Sequence, residues 1–252
     1  MNPLFKSLTV AVLMALLFTA CVQPLYLPAD FKQTATAYEV KGKQGWMINQ
    51  RMSFAEFQTG KVKRGWTSTY SIPFLIAFEG GKEKIAFTIT NQEGAVAEVM
   101  ALSKIKSQEL KLFSDFFSIP LKYENTFAGT IFSPADTVGW WNFALLNPDE
   151  GWGKERQTIG FALNNTGQKL DIKPVNQLET KKGPSPRSPE NYGFEFWLEG
   201  RMVGAVSVVN DGMVWLSNDI APNQRLLLAA LASSIMLRNN LTEEVANQNV
   251  SN

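Results

Sequence analysis

The sequence contains no histidine and a single cysteine, Cys21, in 252 residues. Without histidine there is no Ser-His or Cys-His nucleophile pair and no imidazole ligand for zinc. With one cysteine the chain closes no internal disulfide, so its core alone must hold the fold. Charge of either sign is not in excess: 24 Lys+Arg stand against 23 Asp+Glu. That balance argues against nucleic acid as a partner. Nor is there a run of about 20 apolar residues, the length a bilayer-spanning helix needs. Cofactor motifs are equally scarce. Gly151-Trp152-Gly153 lacks the third glycine and the strand-turn-helix setting of a nucleotide loop. Asn147-Pro148-Asp149-Glu150-Gly151 lacks the ligand spacing of a calcium loop. Neither a cofactor nor a metal is therefore expected.

What the chain does have begins at its start. Lys6 precedes an apolar run, Leu8 to Phe18, which ends in Phe18-Thr19-Ala20-Cys21. A charged beginning, a short apolar stretch and a small residue before the cut are the layout of a secretory signal peptide. Thr19-Ala20-Cys21 resembles the lipobox of bacterial lipoproteins, with Phe18 where that pattern has Leu or another aliphatic. The resemblance implies that residues 1–20 are removed and that Cys21 is acylated and becomes the first residue. The membrane is then a partner through this lipid. Val22 rather than Asp follows the cysteine, which by analogy with Gram-negative sorting implies a lipid-anchored, cell-envelope address in the outer membrane. Residues 21–34, with Pro24 and Pro28, read as a lipidated tether. Once Lys6 leaves with the signal, 23 Lys+Arg face 23 Asp+Glu.

From Thr36 onward the dominant hydrophobic period is two. Ile85, Phe87 and Ile89 alternate with Ala86, Thr88 and Thr90, and Ile159, Phe161 and Leu163 with Thr158, Gly160 and Ala162. One buried and one solvated face is the signature of antiparallel strands. Similar runs recur at 36–42, 46–52, 62–70, 73–79, 94–102, 121–132, 138–146, 168–175, 191–199, 201–209 and 213–217. Turn signals such as Gly80-Gly81, Asn165-Thr166-Gly167, Glu199-Gly200 and Asn210-Asp211-Gly212 separate them. Segment 103–117 is a weakly amphipathic helical candidate. Thr180 to Glu190, with three prolines and a glycine, reads as a solvated loop.

The segment Leu226 to Leu237 (LLLAALASSIML) organises the rest. Pro222 suits a helix start, and Arg238-Asn239-Asn240 suit its end. At about 100° per residue, Leu226, Leu227, Leu228, Leu231, Ile235, Met236 and Leu237 point in every direction, leaving no wet face. Such a helix must be enclosed, and it is too short to span a bilayer. A sheet of many strands removes its exposed edges by closing. The expected fold is thus all-β with one buried helix: a closed or nearly closed antiparallel β-barrel of about 12 strands around a C-terminal hydrophobic helix, 222–238. Residues 35–240 form this single domain and 241–252 a polar tail. The order of elements, Phe194 to Gly204, then Met213 to Leu216, then Leu226 to Leu237, resembles the C-terminal half of the tubby-like and scramblase superfamily. That resemblance implies a barrel threaded by a central helix and carries over no functional residue.

Three arrangements carry candidate chemistry. Ser103-Lys104-Ile105-Lys106 matches S-x-x-K, in which a lysine one helical turn away deprotonates a serine. Its K-T-G partner is missing, and a solvated basic helix face is the better reading. Asp136, Asp149 and Glu150 lie beside tryptophans in sequence and are the acids a carboxylate-only hydrolase of envelope polysaccharide would use. Seven tryptophans, 46, 66, 140, 141, 152, 197 and 215, are many for this length. Exposed ones stack on sugars or apolar ligands, and Trp140, Trp141 and Trp152 are the ligand-binding candidates. In a strand, Trp140 and Trp141 point to opposite faces. The reading that follows is a lipid-anchored binding or structural module of the cell envelope, with no evident catalytic centre and a saccharide or an envelope protein as its ligand; the alternative is a carboxylate-only hydrolase acting on envelope polysaccharide.

Overall fold

The computed structural model describes residues 24–43, 50–65, 83–105, 125–133, 140–147 and 158–250. Residues 1–23, with the expected signal peptide, Cys21 and Val22, lie outside the described residues.

A short helix, α1 (Ala29–Thr34), leads into β1 (Ala35–Glu39), β2 (Ser53–Phe54), β3 (Phe57–Thr59) and β4 (Lys63–Arg64). Longer strands follow: β5 (Glu83–Asn91), β6 (Val96–Ile105), β7 (Asn125–Phe132), β8 (Trp140–Asn147), β9 (Ile159–Asn164) and β10 (Lys169–Val175). After the small hairpin of β11 (Glu179–Thr180) and β12 (Gly183–Pro184) come β13 (Gly193–Leu198), β14 (Arg201–Ser207), β15 (Met213–Ser217) and the terminal helix α2 (Pro222–Val250).

Twelve strands follow one another in the order β1-β15-β14-β13-β10-β9-β8-β7-β6-β5-β3-β2, and β4 pairs with β5 beside this path. Every ladder is antiparallel. Period-two sequences therefore give one inward and one outward row per strand. Ile85, Phe87 and Ile89 from β5 share one core with Phe127, Ile131, Phe143, Leu145, Leu170, Ile172, Phe194, Phe196, Val206, Val214 and Leu216. Among the described residues the path's two ends, β1 and β2, are joined by an isolated bridge rather than a ladder. Lys41 and Ser53 exchange N–H···O bonds of 2.9 and 3.0 Å there. The barrel is nearly closed, and this bridge is its seam.

The terminal helix belongs to the same core. Every side chain from Leu226 to Leu237 is 6% exposed or less, and the helix packs against β3, β5, β6, β7, β14 and β15. Burying its seven large apolar side chains at about 1.5–3 kcal/mol each contributes on the order of 10–20 kcal/mol before entropy. Room for it comes from small inward residues. A Cβ on Gly204 would stand 3.2 Å from the Leu228 side chain and 3.1 Å from the Trp215 carbonyl. Ser234 donates to the Ala230 carbonyl at 2.7 Å, as a buried helical serine can. Ser233 Oγ, equally buried, has no such partner.

The structure corrects four readings. Residues 24–34 are not a loose tether: Leu25, Leu27 and Phe31 are buried against Val175, Met202, Ala205 and Trp215 on the barrel's outer wall. The helix does not stop at Arg238 but runs to Val250, because two asparagines without a glycine or proline do not end it. In the helical candidate 103–117, Ser103 and its neighbours through Ile105 complete strand β6, and 106–117 lie outside the described residues. Thr180–Glu190 is not free loop. Its hairpin is tied down by Ser185 N–H to the Leu178 carbonyl (2.8 Å), Leu178 N–H to Ser185 Oγ (2.9 Å) and Ser188 N–H to the Asn176 carbonyl (2.9 Å).

Candidate functional site

Because the helix fills the lumen, the space left for a ligand lies at the helix entry, the seam and the outer wall of β5 and β6. A cavity of about 110 Å³ opens where the helix enters the barrel. Ala95, Ala97, Ile131, Trp141, Leu226 and Leu227 make its apolar floor, and Asn91, Glu93, Ser133 and Asn223 its polar rim. The strands bring these together: Ile131 is opposite Trp141 in the β7–β8 ladder, Ala97 is at the start of β6 and Ala95 just before it.

Trp141 points inward at 5% exposure and forms one wall. Trp140 points outward against Phe132, with ring centroids 5.0 Å apart and planes tilted by 58°. Of the other described tryptophans, Trp215 is covered by the N-terminal segment. Trp197 donates from Nε1 to Glu195 (2.9 Å) and lies under Lys173, whose Nζ is 3.9 Å from a ring centroid. Burial raises the Glu195 carboxyl above its ordinary range against the opposing pull of Trp197 and Lys173. Trp46, Trp66, Trp152, Asp136, Asp149 and Glu150 lie outside the described residues.

The rim is partly committed to the fold. Asn91 Oδ1 accepts from the Glu93 and Ala95 amides at 3.1 and 2.8 Å. Ser133 Oγ donates to the Val96 carbonyl at 3.0 Å, and Asn223 Oδ1 accepts from the Gln224 amide at 2.9 Å. The Asn91 and Asn223 Nδ2 donors and the Glu93 carboxylate make no hydrogen bond among the described residues and are open to a ligand. Ser103 is buried on a strand, so it presents no serine one helical turn from a lysine. Among the described residues no three carboxylates or thiols converge on one point.

On the seam beside this mouth, Arg225 of the helix grips Glu56 in the β2–β3 turn. Nε lies 2.7 Å from Oε1 and Nη2 3.0 Å from Oε2. The same guanidinium reaches the Tyr38 hydroxyl of β1 and the Ser217 carbonyl of β15, each at 3.5 Å. Burial disfavours the Glu56 carboxylate, yet the Arg225 hydrogen bond, a backbone amide and the Arg225 charge together more than offset it and hold the carboxyl below its ordinary value. Sequence reading missed this pair because its members are 169 positions apart. No protein family, curated protein or solved structure matches the chain.

Proposed function

We propose that this chain is a lipid-anchored binding or structural module of the cell envelope, held through acylated Cys21 at the outer membrane of a Gram-negative bacterium. We also read its barrel as kin to the tubby-like and scramblase superfamily, with none of that group's functional residues carried over. The observation that carries the binding role is the cavity between Trp141 and the helix start. It is smaller than the roughly 300–1,000 Å³ of pockets that enclose a whole small ligand. Its volume suits one projecting group of a larger partner, and its apolar floor under amide donors suits an acetamido substituent of a saccharide or a side chain of an envelope protein. The test is titration of the full chain with soluble N-acetylated oligosaccharides, read by tryptophan emission and calorimetry. Ala95→Phe, which fills the cavity, is expected to weaken binding at least tenfold; equal affinity of the variant and the parent would remove the cavity from consideration.

A further inference from the structure

The N-terminal segment fixes which end of the barrel looks at the membrane. Leu25 and Leu178 form an antiparallel bridge, with Tyr26 N–H on the Gln177 carbonyl (3.0 Å) and Glu179 N–H on the Pro24 carbonyl (2.8 Å). In an antiparallel pair, the chain preceding Pro24 and the chain following Glu179 leave in the same direction. Cys21 is three residues from Pro24, a reach of at most about 11 Å. Whatever is attached to Cys21 is thus held close to the β11–β12 hairpin.

That hairpin carries Lys181 and Lys182 at its turn and Arg187 just beyond, all exposed. Between Thr180 and Arg187 there is no carboxylate. Among the described residues Glu179 is paired with Lys32 at 2.7 Å, and Glu190, three positions after Arg187, is exposed. A second observation points the same way. Among the described residues the exposed large hydrophobics are Tyr26 (42%) and Ile159 (46%), and both belong to this end. Leu25, next to Tyr26, lies against Gly193 at the start of β13. Asn191, just before β13, donates to Thr158 at the start of β9, 2.8 Å away. Basic tips with an interfacial aromatic beside them are what an anionic bilayer surface attracts.

The geometry points to a docking surface for anionic phospholipid headgroups, made by Lys181, Lys182, Arg187 and Tyr26, which sets the barrel on the membrane with its Trp141 mouth facing away. This rests on the reading of Cys21 as the anchor. Each basic side chain at such a surface strengthens attachment about fivefold.

The full acylated chain is reconstituted into phosphatidylcholine vesicles with and without phosphatidylglycerol. Pro184→Cys in the hairpin, or Gln92→Cys at the opposite end, supplies the one free thiol for a fluorophore. Headgroup-nitroxide lipids are expected to quench the label at 184 and not at 92, several times more with phosphatidylglycerol, and Lys181→Glu with Lys182→Glu abolishes that gain. Equal quenching at both positions, or quenching at 184 indifferent to lipid charge and to the substitutions, overturns the proposal while leaving the anchor intact. A chain whose Cys21 carries no acyl group, shown by mass spectrometry, overturns the anchor reading and this inference with it.

Discussion

Arg225 and Glu56 meet in a two-pronged ion pair, 2.7 and 3.0 Å, that ties the plug helix to the strands at the barrel's seam. The side chains are 18% and 29% exposed, so solvent screens the pair only in part. Arg225→Met is expected to cost about 1–3 kcal/mol in urea unfolding. Because the Glu56 carboxyl sits below its ordinary value, its contribution is complete at neutral pH and is lost as pH falls through the folded-state value, below 4.5. Glu56→Gln removes that acid-side loss; a wild-type and variant difference independent of pH would refute the coupling.

Leu231 is completely buried in the helix. Leu231→Asp places an unpaired charge there, and its cost, on the order of 4 kcal/mol or more, abolishes cooperative folding. An unchanged thermal unfolding curve for a soluble variant would contradict the enclosed helix.

Ser233 Oγ is buried without a hydrogen bond among the described residues. Ser233→Ala removes an unsatisfied hydroxyl at almost no loss of volume and is expected to stabilise by about 1 kcal/mol. Ser234→Ala, which deletes the bond to Ala230, is not expected to gain. Equilibrium unfolding of the two variants side by side decides this.

Gly204 lies where the sheet passes close to the helix, and a side chain there meets Leu228 and Phe196 at 3.2 Å. Gly204→Val should destabilise by about 1–3 kcal/mol through overpacking. Gly167→Ala serves as its contrast: nothing lies within 4 Å of an added Cβ, and only the positive φ of 86° is strained.

Cys21→Ser is expected to move the protein from the membrane to the soluble fraction with its melting temperature unchanged. Continued membrane fractionation would eliminate the lipid anchor.

The circumference of Leu226–Leu237 was enough to read the enclosed helix, and alternation in segments such as Ile85–Ile89 and Ile159–Leu163 was enough to read the wall around it. Both are local periodicities set by neighbours in sequence. The docking of residues 24–34 carried a weaker signal, Leu25 and Leu27 two apart and Phe31 in the next element, which the flanking prolines obscured. Ser103 could be assigned to helix or strand from its neighbours alone, and cross-strand pairing with β5 and β7 decided for the strand. The Arg225–Glu56 pair and the cavity beneath Trp141 are assembled from distant positions, so no window of sequence contains them.

The segment that fills the lumen follows every strand in chain order. Synthesis therefore delivers the wall long before the plug, and until the plug arrives the inward side chains of β5 to β15 lack the helix that fills the space between them. If the chain is exported as we propose, this order postpones full compaction until translocation is nearly finished.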